Sequence, residues 1–315
     1  MMNYLACDAG GTKADFILFN SSGEVLAKCR TTGANANFIS QESALNAVEK
    51  GICECMEKAE FCLEQIKLIA LFIPGFIPCL PMLKKRLQYD NIELQGDANI
   101  AFYGALGNGQ GIVVLSGTGS FARGRDSYGK EATSGGWGPL FGDYGSGYHI
   151  GRMCLSELAI QYDMGQSESM LASEVKTILE ITSIGELRAV SYRADFTREK
   201  LADLSFAVAK AARQGDKTAD RILDNAAKEL VKLATIVAGR IEADGLRISL
   251  IGGVTNMGAI ITDKFRYYLA KELPECSYHQ CKYTPIIGAA LYILEREEHL
   301  DITNTQVINH LTGGI

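Results

Sequence analysis

Two short segments of the sequence combine glycines with hydroxyl side chains. The first is Asp8–Thr12 (DAGGT) and the second is Ser116–Ser120 (SGTGS). Glycine lets backbone N–H groups approach an anion closely, and serine and threonine hydroxyls add hydrogen-bond donors without adding charge. Asp8 ends an apolar run, where a carboxylate can hold Mg²⁺ through water. These residues predict two phosphate-binding turns, with a magnesium ion near the first.

The residues after the first glycine segment indicate which kind of turn it forms. A dinucleotide fingerprint or a P-loop leads into a helix, whereas Lys13–Phe19 (KADFILF) has the apolar, β-leaning character of a strand. The pattern therefore predicts a β-hairpin. A single Gly-Gly hairpin can also be a plain connection between strands, but two hairpins with so many donors are more typical of a clamp for a triphosphate.

The elements that position these hairpins recur along the chain. Apolar runs between turn residues predict strands at Asn3–Asp8, Lys13–Asn20, Glu24–Arg30, Ile66–Ile73, Asn91–Leu94, Ile112–Leu115, Phe121–Arg125 and Arg247–Ile251. Helical spacing predicts helices at Ser40–Met56, Ala98–Leu106, Arg198–Gln214, Thr218–Ala243, Met257–Ala270 and Ile286–Glu297. Because the strand–turn–strand pattern returns after roughly a hundred residues, we infer a degenerate internal duplication.

The length of the chain agrees with a duplication. A sequence of 315 residues exceeds the size at which a single hydrophobic core usually stops growing. We expect an N-terminal domain at residues 1–110 and a C-terminal domain at residues 111–285. The last predicted helix, residues 286–300, is expected to pack back on the first domain.

Five segments, in order, resemble the sugar kinase, heat-shock chaperone and actin superfamily. They are Asp8–Asp15 (DAGGTKAD) and Leu115–Ser120 (LSGTGS) for the phosphate motifs, Gln95–Leu106 (QGDANIAFYGAL) and Thr284–Leu294 (TPIIGAALYIL) for the connecting motifs, and Ile248–Ile260 (ISLIGGVTNMGAI) for the adenosine motif. Within this superfamily, Gly135–Ser146 (GGWGPLFGDYGS) is similar to the N-acetylglucosamine kinases and the BadF/BadG/BcrA/BcrD ATPase family.

The resemblance implies a fold and an activity. The fold is α/β, with two duplicated actin-like (ribonuclease H-like) ATPase domains and a nucleotide cleft between them. The activity is that of an ATP-dependent kinase acting on an amino sugar such as N-acetylglucosamine or glucosamine, with Mg²⁺ near Asp8. The residues expected to bind ATP are Gly10, Gly11, Thr12, Lys13, Gly117, Thr118, Gly119, Gly252 and Gly253.

Asp97 is the expected catalytic residue. The resemblance places the family's general base here, after a strand, where a carboxylate can orient a sugar hydroxyl and accept its proton. From the residues alone, Asp97 can equally be the N-cap of a helix that begins at Ala98. The two roles are compatible.

The resemblance also implies a set of sugar contacts. They are Asn37, Asp97, Thr118, Gly136, Trp137 and Asp143, with Asn35 as the alternative to Asn37. Trp137 can instead be a core aromatic. The family's usual GDEGS reads GDYGS here, because Tyr144 replaces the glutamate.

Composition excludes several other classes of function. The formal net charge of −6 argues against a nucleic-acid partner, which needs a clustered basic face. The start MMNYLACDAGG resembles no secretory leader, and apolar runs such as Leu68–Phe76 are too short for a membrane span. We therefore expect a cytoplasmic protein with a small-molecule sugar substrate and no membrane partner. The sequence is compatible with a homodimer.

The nine cysteines separate the remaining alternatives. Cys53 and Cys55 should face different sides of a helix, and Cys276, His279 and Cys281 lack the second pair typical of a zinc site. A zinc-bearing sugar-responsive repressor is therefore disfavoured. A filament or chaperone is disfavoured for another reason, because the chain carries the substrate-type glycine block Gly135–Ser146. An ATP-driven activator of a CoA-ester dehydratase would need cysteines that bind an iron–sulfur cluster at a subunit interface. Cys154 lies near a predicted helix start, but no second glycine-flanked cysteine follows it. A degenerate nucleotide-binding relative is the other alternative.

Overall fold

The computed structural model describes residues 1–107, 109–166, 168–243, 245–281, 283–300 and 305–313, without the side chains of Asp97, Ala98 and Thr305. The chain divides into two compact units, Met1–Gly109 with Cys281–Ile315, and Gln110–Gln280. Each unit is built around one five-stranded mixed sheet. Within the described residues, no helix is both long and apolar enough to span a bilayer.

The first unit begins with an antiparallel meander. Its strands are β1 (Asn3–Ala9), β2 (Lys13–Asn20), β3 (Val25–Thr32), β4 (Ile66–Phe72) and β5 (Ile92–Leu94). The strand order is β3-β2-β1-β4-β5, and β4 and β5 run parallel to β1. Because β3 also runs in the direction of β1, the ends of β1, β3, β4 and β5 lie at one edge of the sheet.

Helices cover this sheet and complete the unit. They are α1 (Gln41–Ala59), α2 (Leu80–Leu87), α3 (Asp97–Leu106), α11 (Pro285–Glu298) and α12 (Thr305–Thr312), with 3-10 turns at Leu63–Gln65 and Ile77–Cys79. Ser40 is the N-cap of α1, and its side chain accepts the Ser43 N–H. Helix α11 packs against α3 and β1, so the C-terminal segment belongs to the first unit. At that contact the buried Tyr4 hydroxyl donates to Glu298.

The second unit repeats the topology of the first. Its strands are β6 (Gly111–Ser116), β7 (Ser120–Arg125), β8 (Glu131–Gly135), β9 (Arg247–Ile251) and β10 (Ser277–Tyr278). The order β10-β9-β6-β7-β8 again joins an antiparallel meander to parallel strands. The predicted duplication is therefore confirmed by strand order and direction.

Long helices form most of the rest of the second unit. They are α4 (Gly138–Phe141), α5 (Gly147–Asp163), α6 (Met170–Leu179), α7 (Leu187–Val190), α8 (Arg198–Arg213), α9 (Lys217–Ala238) and α10 (Ala259–Glu272), with 3-10 turns at Ile184–Glu186 and Gly253–Met257. Helix α9 ends at Ala238 with Gly239 as its C-cap, so the predicted end at Ala243 is wrong. Helix α10 begins at Ala259, two residues after the predicted Met257, because a 3-10 turn and Gly258 (φ 70°) precede it.

Candidate functional site

The first glycine hairpin is an exposed turn between β1 and β2. The Gly10 N–H donates to the Lys13 carbonyl at 3.0 Å and closes the turn, and Gly10, Gly11 and Thr12 are exposed. A Cβ built on Gly10 meets no described atom within 4 Å. Open space above a glycine turn is what the close approach of an anion requires. The predicted β-hairpin is therefore confirmed, and no helix follows Thr12.

Lys13 has a partner of its own in this hairpin. Its Nζ lies 3.1 Å from Asp15, and Arg30 Nε lies 2.5 Å from the other oxygen of Asp15. Burial tends to raise the pKa of Asp15, but hydrogen bonds from Arg30 and Lys13 outweigh burial and lower that pKa. The Lys13 side chain is 59% exposed, so it can still reach an anion at the turn.

A loop from the end of β3 packs onto the first hairpin. The N–H groups of Ala34 and Asn35 both donate to the Gly10 carbonyl, at 3.0 and 3.2 Å. The buried Asn35 uses its side-chain oxygen to accept the Asn37 N–H at 3.0 Å. Asn37 is exposed, and its side chain lies beside Gly75. Asn35 therefore supports the loop, whereas Asn37 offers an accessible amide.

Asp97 lies at the same edge of the first sheet as this loop. Its backbone follows β5 and begins α3, and β5 runs parallel to β1, which ends near Asp8. The N-cap is Gly96, with φ −72° and ψ 132°, so the prediction that Asp97 caps a helix beginning at Ala98 is wrong by one position. The side chain of Asp97 lies outside the described structure.

The second glycine hairpin is fixed by the turn that contains Asp143. The buried hydroxyls of Ser116 and Ser120 donate to the carbonyls of Gly145 and Tyr144, at 3.0 and 2.7 Å. The expectation that both hydroxyls serve a phosphate is therefore wrong, because they hold the neighbouring turn. Thr118 is half-buried, and a Cβ on Gly117 meets no described atom within 4 Å. The hairpin tip stays open.

Asp143 is buried against the same hairpin. One carboxylate oxygen accepts the Ser120 N–H at 3.1 Å, and the other accepts Arg198 Nη2 at 2.5 Å. The backbone of Asp143 has φ 58°, the left-handed region. The residue predicted as a sugar contact is thus already engaged by two partners within its own unit.

His149 supports this turn from α5. Its Nδ1 accepts the Gly145 N–H at 3.1 Å, and its ring meets Tyr144 edge-on at 5.5 Å between centroids. Burial, with a smaller contribution from Arg152, lowers the pKa of His149 to about 4. A neutral imidazole can accept that hydrogen bond, and an imidazolium cannot.

The predicted adenosine motif lies beside the second hairpin. Strand β9 pairs with β6, Ile251 opposite Leu115, so Gly252 follows β9 where Ser116 ends β6. Gly252 has φ 99°, and a Cβ there would lie 2.5 Å from the Ser116 carbonyl oxygen. Gly253 is exposed, and a Cβ there meets no described atom within 4 Å. The structure therefore brings Gly117–Gly119 and Gly252–Gly253 together.

Trp137 is a surface residue. Its side chain is 76% exposed, beside Leu140 at 79% and Phe141 at 74% in the short helix α4. The interpretation of Trp137 as a core aromatic is wrong. Gly136, with φ 74°, donates its N–H to the Ser120 carbonyl at 3.0 Å. This hydrogen bond holds the start of the exposed segment Gly136–Phe141 against the second hairpin.

A profile of the BadF/BadG/BcrA/BcrD ATPase family matches residues 6–293 of the sequence. The chain belongs to this family. The resemblance inferred from the sequence motifs is thereby confirmed. The match covers both glycine hairpins and the Asp143 turn, and it ends within helix α11.

Relatives within and near the family are named sugar kinases. The chain is 28% identical to an N-acetylmuramic acid/N-acetylglucosamine kinase of Clostridium acetobutylicum, over 92% of this chain and 98% of the relative. It is 26% identical to an N-acetyl-D-glucosamine kinase of Dictyostelium discoideum, over 94% of this chain and 98% of that relative. The crystal structure of a candidate N-acetylglucosamine kinase from Chromobacterium violaceum superposes with a TM-score of 0.70 at 23% identity, over 93% of this chain and 99% of that one. The fold class predicted from the sequence is confirmed.

The cysteines expected to distinguish members of the family fall in different environments. Cys154 is fully buried in α5, and burial raises its pKa to about 12, which opposes a thiolate ligand. Cys53 is exposed and Cys55 buried, as their spacing predicts. In the part of the chain that the structure describes, no cluster of three or more His, Cys, Asp or Glu side chains is placed to hold a metal ion.

Two functional candidates escaped the sequence reasoning. Arg198 lies 55 positions from Asp143, and His149 is an ordinary helix residue by spacing. Neither stands in a motif with a chemical signature, and only the packing of α5 against α8 beside the Asp143 turn brings them to the glycine hairpin. Contacts of this kind carry no local sequence signal.

Proposed function

We propose that the protein is an ATP-dependent kinase that phosphorylates an amino sugar such as N-acetylglucosamine or glucosamine. The observation that carries this proposal is the naming of both curated relatives as N-acetylglucosamine kinases, each aligned over more than nine-tenths of this chain. The geometry supports it, because each unit presents an open glycine hairpin at one edge of its sheet.

The residues present fit a nucleoside triphosphate with Mg²⁺. Gly10 and Gly117 have open space where a side chain would stand, and their own N–H groups close the two turns onto the carbonyls of Lys13 and Gly119. The following amides, those of Gly11 and Thr12 and of Thr118 and Gly119, can donate to phosphate oxygens. Gly252 and Gly253 would hold the adenosine. Asp8, at the end of β1, would hold Mg²⁺ through water, and the ion would neutralise charge on the phosphates.

The chain's own residues would perform the transfer. Asp97 would accept the proton of the attacking sugar hydroxyl while orienting it. Asn37 offers an exposed amide to the sugar, and Gly136 and Trp137 offer an exposed backbone and ring. Asp143 keeps acceptor capacity for a sugar hydroxyl, because a carboxylate has about four lone-pair sites, and the Ser120 N–H and Arg198 Nη2 occupy two of them.

A substrate screen tests the proposal. The protein is incubated with ATP and Mg²⁺ together with glucosamine, N-acetylglucosamine, N-acetylmuramic acid or an unmodified hexose, and ADP formation is followed. We expect at least one amino sugar to stimulate ADP formation well above the unmodified hexoses. Stimulation of ADP formation by a CoA-ester dehydratase instead of any sugar would favour the activator. Calorimetry that detects no binding at millimolar ATP with Mg²⁺ would contradict both the kinase and the activator.

The cytoplasm is the compartment that we propose for this reaction, because ATP is supplied there. The cysteines agree with a reducing compartment, since no disulfide forms among the described residues. We also propose a homodimer, to be tested by light scattering of the purified chain.

A further inference from the structure

Among the ion pairs of the described residues, the Asp143–Arg198 pair contains the most buried carboxylate. Asp143 is 4% exposed and Arg198 is 37% exposed at the side-chain level. Arg198 is the first residue of α8, and its guanidinium lies over the Tyr148 ring, 5.8 Å from the centroid. Its buried Nε has no hydrogen-bond partner among the described residues. The charge of Arg198 is therefore directed mainly at Asp143.

Both members of the pair lie against the tip of the hairpin. A Cβ built on Gly119 would stand 2.7 Å from Asp143 Oδ1 and 3.0 Å from Arg198 Nη2. Glycine at position 119 thus leaves room for the pair. The carboxylate in turn fixes the hairpin through the Ser120 N–H.

This arrangement has an electrostatic cost that Arg198 offsets. A carboxylate beside a phosphate-binding turn repels the phosphate, and a partly desolvated site strengthens that repulsion. The Asp143 carboxylate also accepts the Ser120 N–H, which could otherwise donate to a phosphate oxygen. Removing one partner of a buried ion pair leaves the other charge uncompensated.

We propose that Asp143 and Arg198 act as a positioning pair that sets the phosphate affinity of the second glycine hairpin: Asp143 holds the hairpin, and Arg198 neutralises the carboxylate that this contact places beside bound phosphate. The proposal rests on the ATP-dependent activity proposed above. It assigns Arg198 a role in nucleotide binding without direct contact with the sugar.

Calorimetry of magnesium-ATP binding without sugar tests the pair. Arg198→Met keeps the aliphatic stem and removes the charge, and we expect affinity about tenfold weaker, the size expected for one unpaired charge several ångströms from an anion. Asp143→Asn keeps an oxygen for the Ser120 N–H and removes the repulsion, so we expect tighter binding. The double variant should return to within about threefold of the wild type.

A matched control removes an arginine from the same unit. Arg221 pairs with Glu157 at 2.7 Å, with its side chain 58% exposed. Arg221→Met changes the net charge by the same amount, and we expect unchanged affinity. Melting temperatures of all variants separate a loss of binding from a loss of folding.

Two outcomes overturn the positioning pair. One is wild-type affinity in Arg198→Met; the other is equal weakening in both single variants without recovery in the double variant, as a merely structural contact would give. If Arg198→Met does not fold, Asp143→Asn decides, since tenfold weaker binding there contradicts the proposal. Wild-type protein that binds ATP but phosphorylates no sugar leaves the pair standing while the kinase proposal fails, and wild-type protein that binds no ATP defeats both.

Discussion

At the scale of single residues, Asp97 carries the proposed chemistry. Asp97→Asn should lower sugar phosphorylation about a hundred- to ten-thousand-fold, because an amide cannot accept the proton of the hydroxyl. Asp97 is the first residue of α3, and a negative charge near a helix N-terminus is stabilising. Loss of that charge should therefore lower the free energy of unfolding by about 0.3–1 kcal/mol. Turnover and urea unfolding of both proteins check this. Turnover within a few-fold of wild type would leave Asp97 only a helix-terminal residue.

His149 makes stability depend on pH. Its folded-state pKa of about 4 lies below the ordinary histidine value of 6.5, so the unfolded chain binds the proton more readily. The contribution of His149 is therefore intact above pH 6.5 and is lost as pH falls from 6.5 toward 4, at about 1.4 kcal/mol per pH unit.

Urea unfolding between pH 7.5 and 5 measures this dependence. In His149→Gln, an amide oxygen can still accept the Gly145 N–H but does not titrate. The slope of unfolding free energy against pH reports the number of protons taken up on unfolding, and in this variant that number should be about one lower. Identical slopes in the two proteins would contradict the assignment.

At the scale of elements, the sequence predicts the glycine hairpins but not the packed turn that holds the second one in place. Apolar runs and glycines locate β1, β2, β6 and β7 because these features act within a few residues. The end of α9 was misplaced because residues after Ala238 keep helical composition while the chain turns at Gly239. Ser116 and Ser120 look like phosphate donors in sequence, and only the packed Asp143 turn shows that their hydroxyls are occupied.

The two glycines at the junction between β9 and the turn that follows it should differ in their importance for stability. Gly252→Ala should destabilise the protein by about 3 kcal/mol, since alanine disfavours φ 99° and its Cβ would stand 2.5 Å from the Ser116 carbonyl oxygen. Gly253→Ala enters open space and should change stability by no more than about 0.5 kcal/mol. Chemical denaturation of the pair checks the contrast. Equal losses would show that Gly252 does not hold this junction.

At the scale of the whole molecule, the duplicated topology and the family membership followed from motif order along the chain. The proposed nucleotide site adds a prediction for the complete protein. ATP with Mg²⁺ at a hundred times its dissociation constant should stabilise the folded state by about 2.7 kcal/mol. ATP with a chelator should stabilise it much less, because Asp8 would then hold no metal. Thermal unfolding under the two conditions makes the comparison, and an equal effect would remove the role of Asp8.

The most direct measurement is a product balance for N-acetylglucosamine. Phosphorus NMR follows ATP, ADP, inorganic phosphate and sugar phosphate during turnover by wild type and Asp97→Asn. We expect one sugar phosphate for each ADP with wild-type protein, little free phosphate, and strongly reduced formation of both products with Asp97→Asn. ADP released with inorganic phosphate, and with no sugar phosphate from any amino sugar in the screen, would contradict the assignment as a sugar kinase.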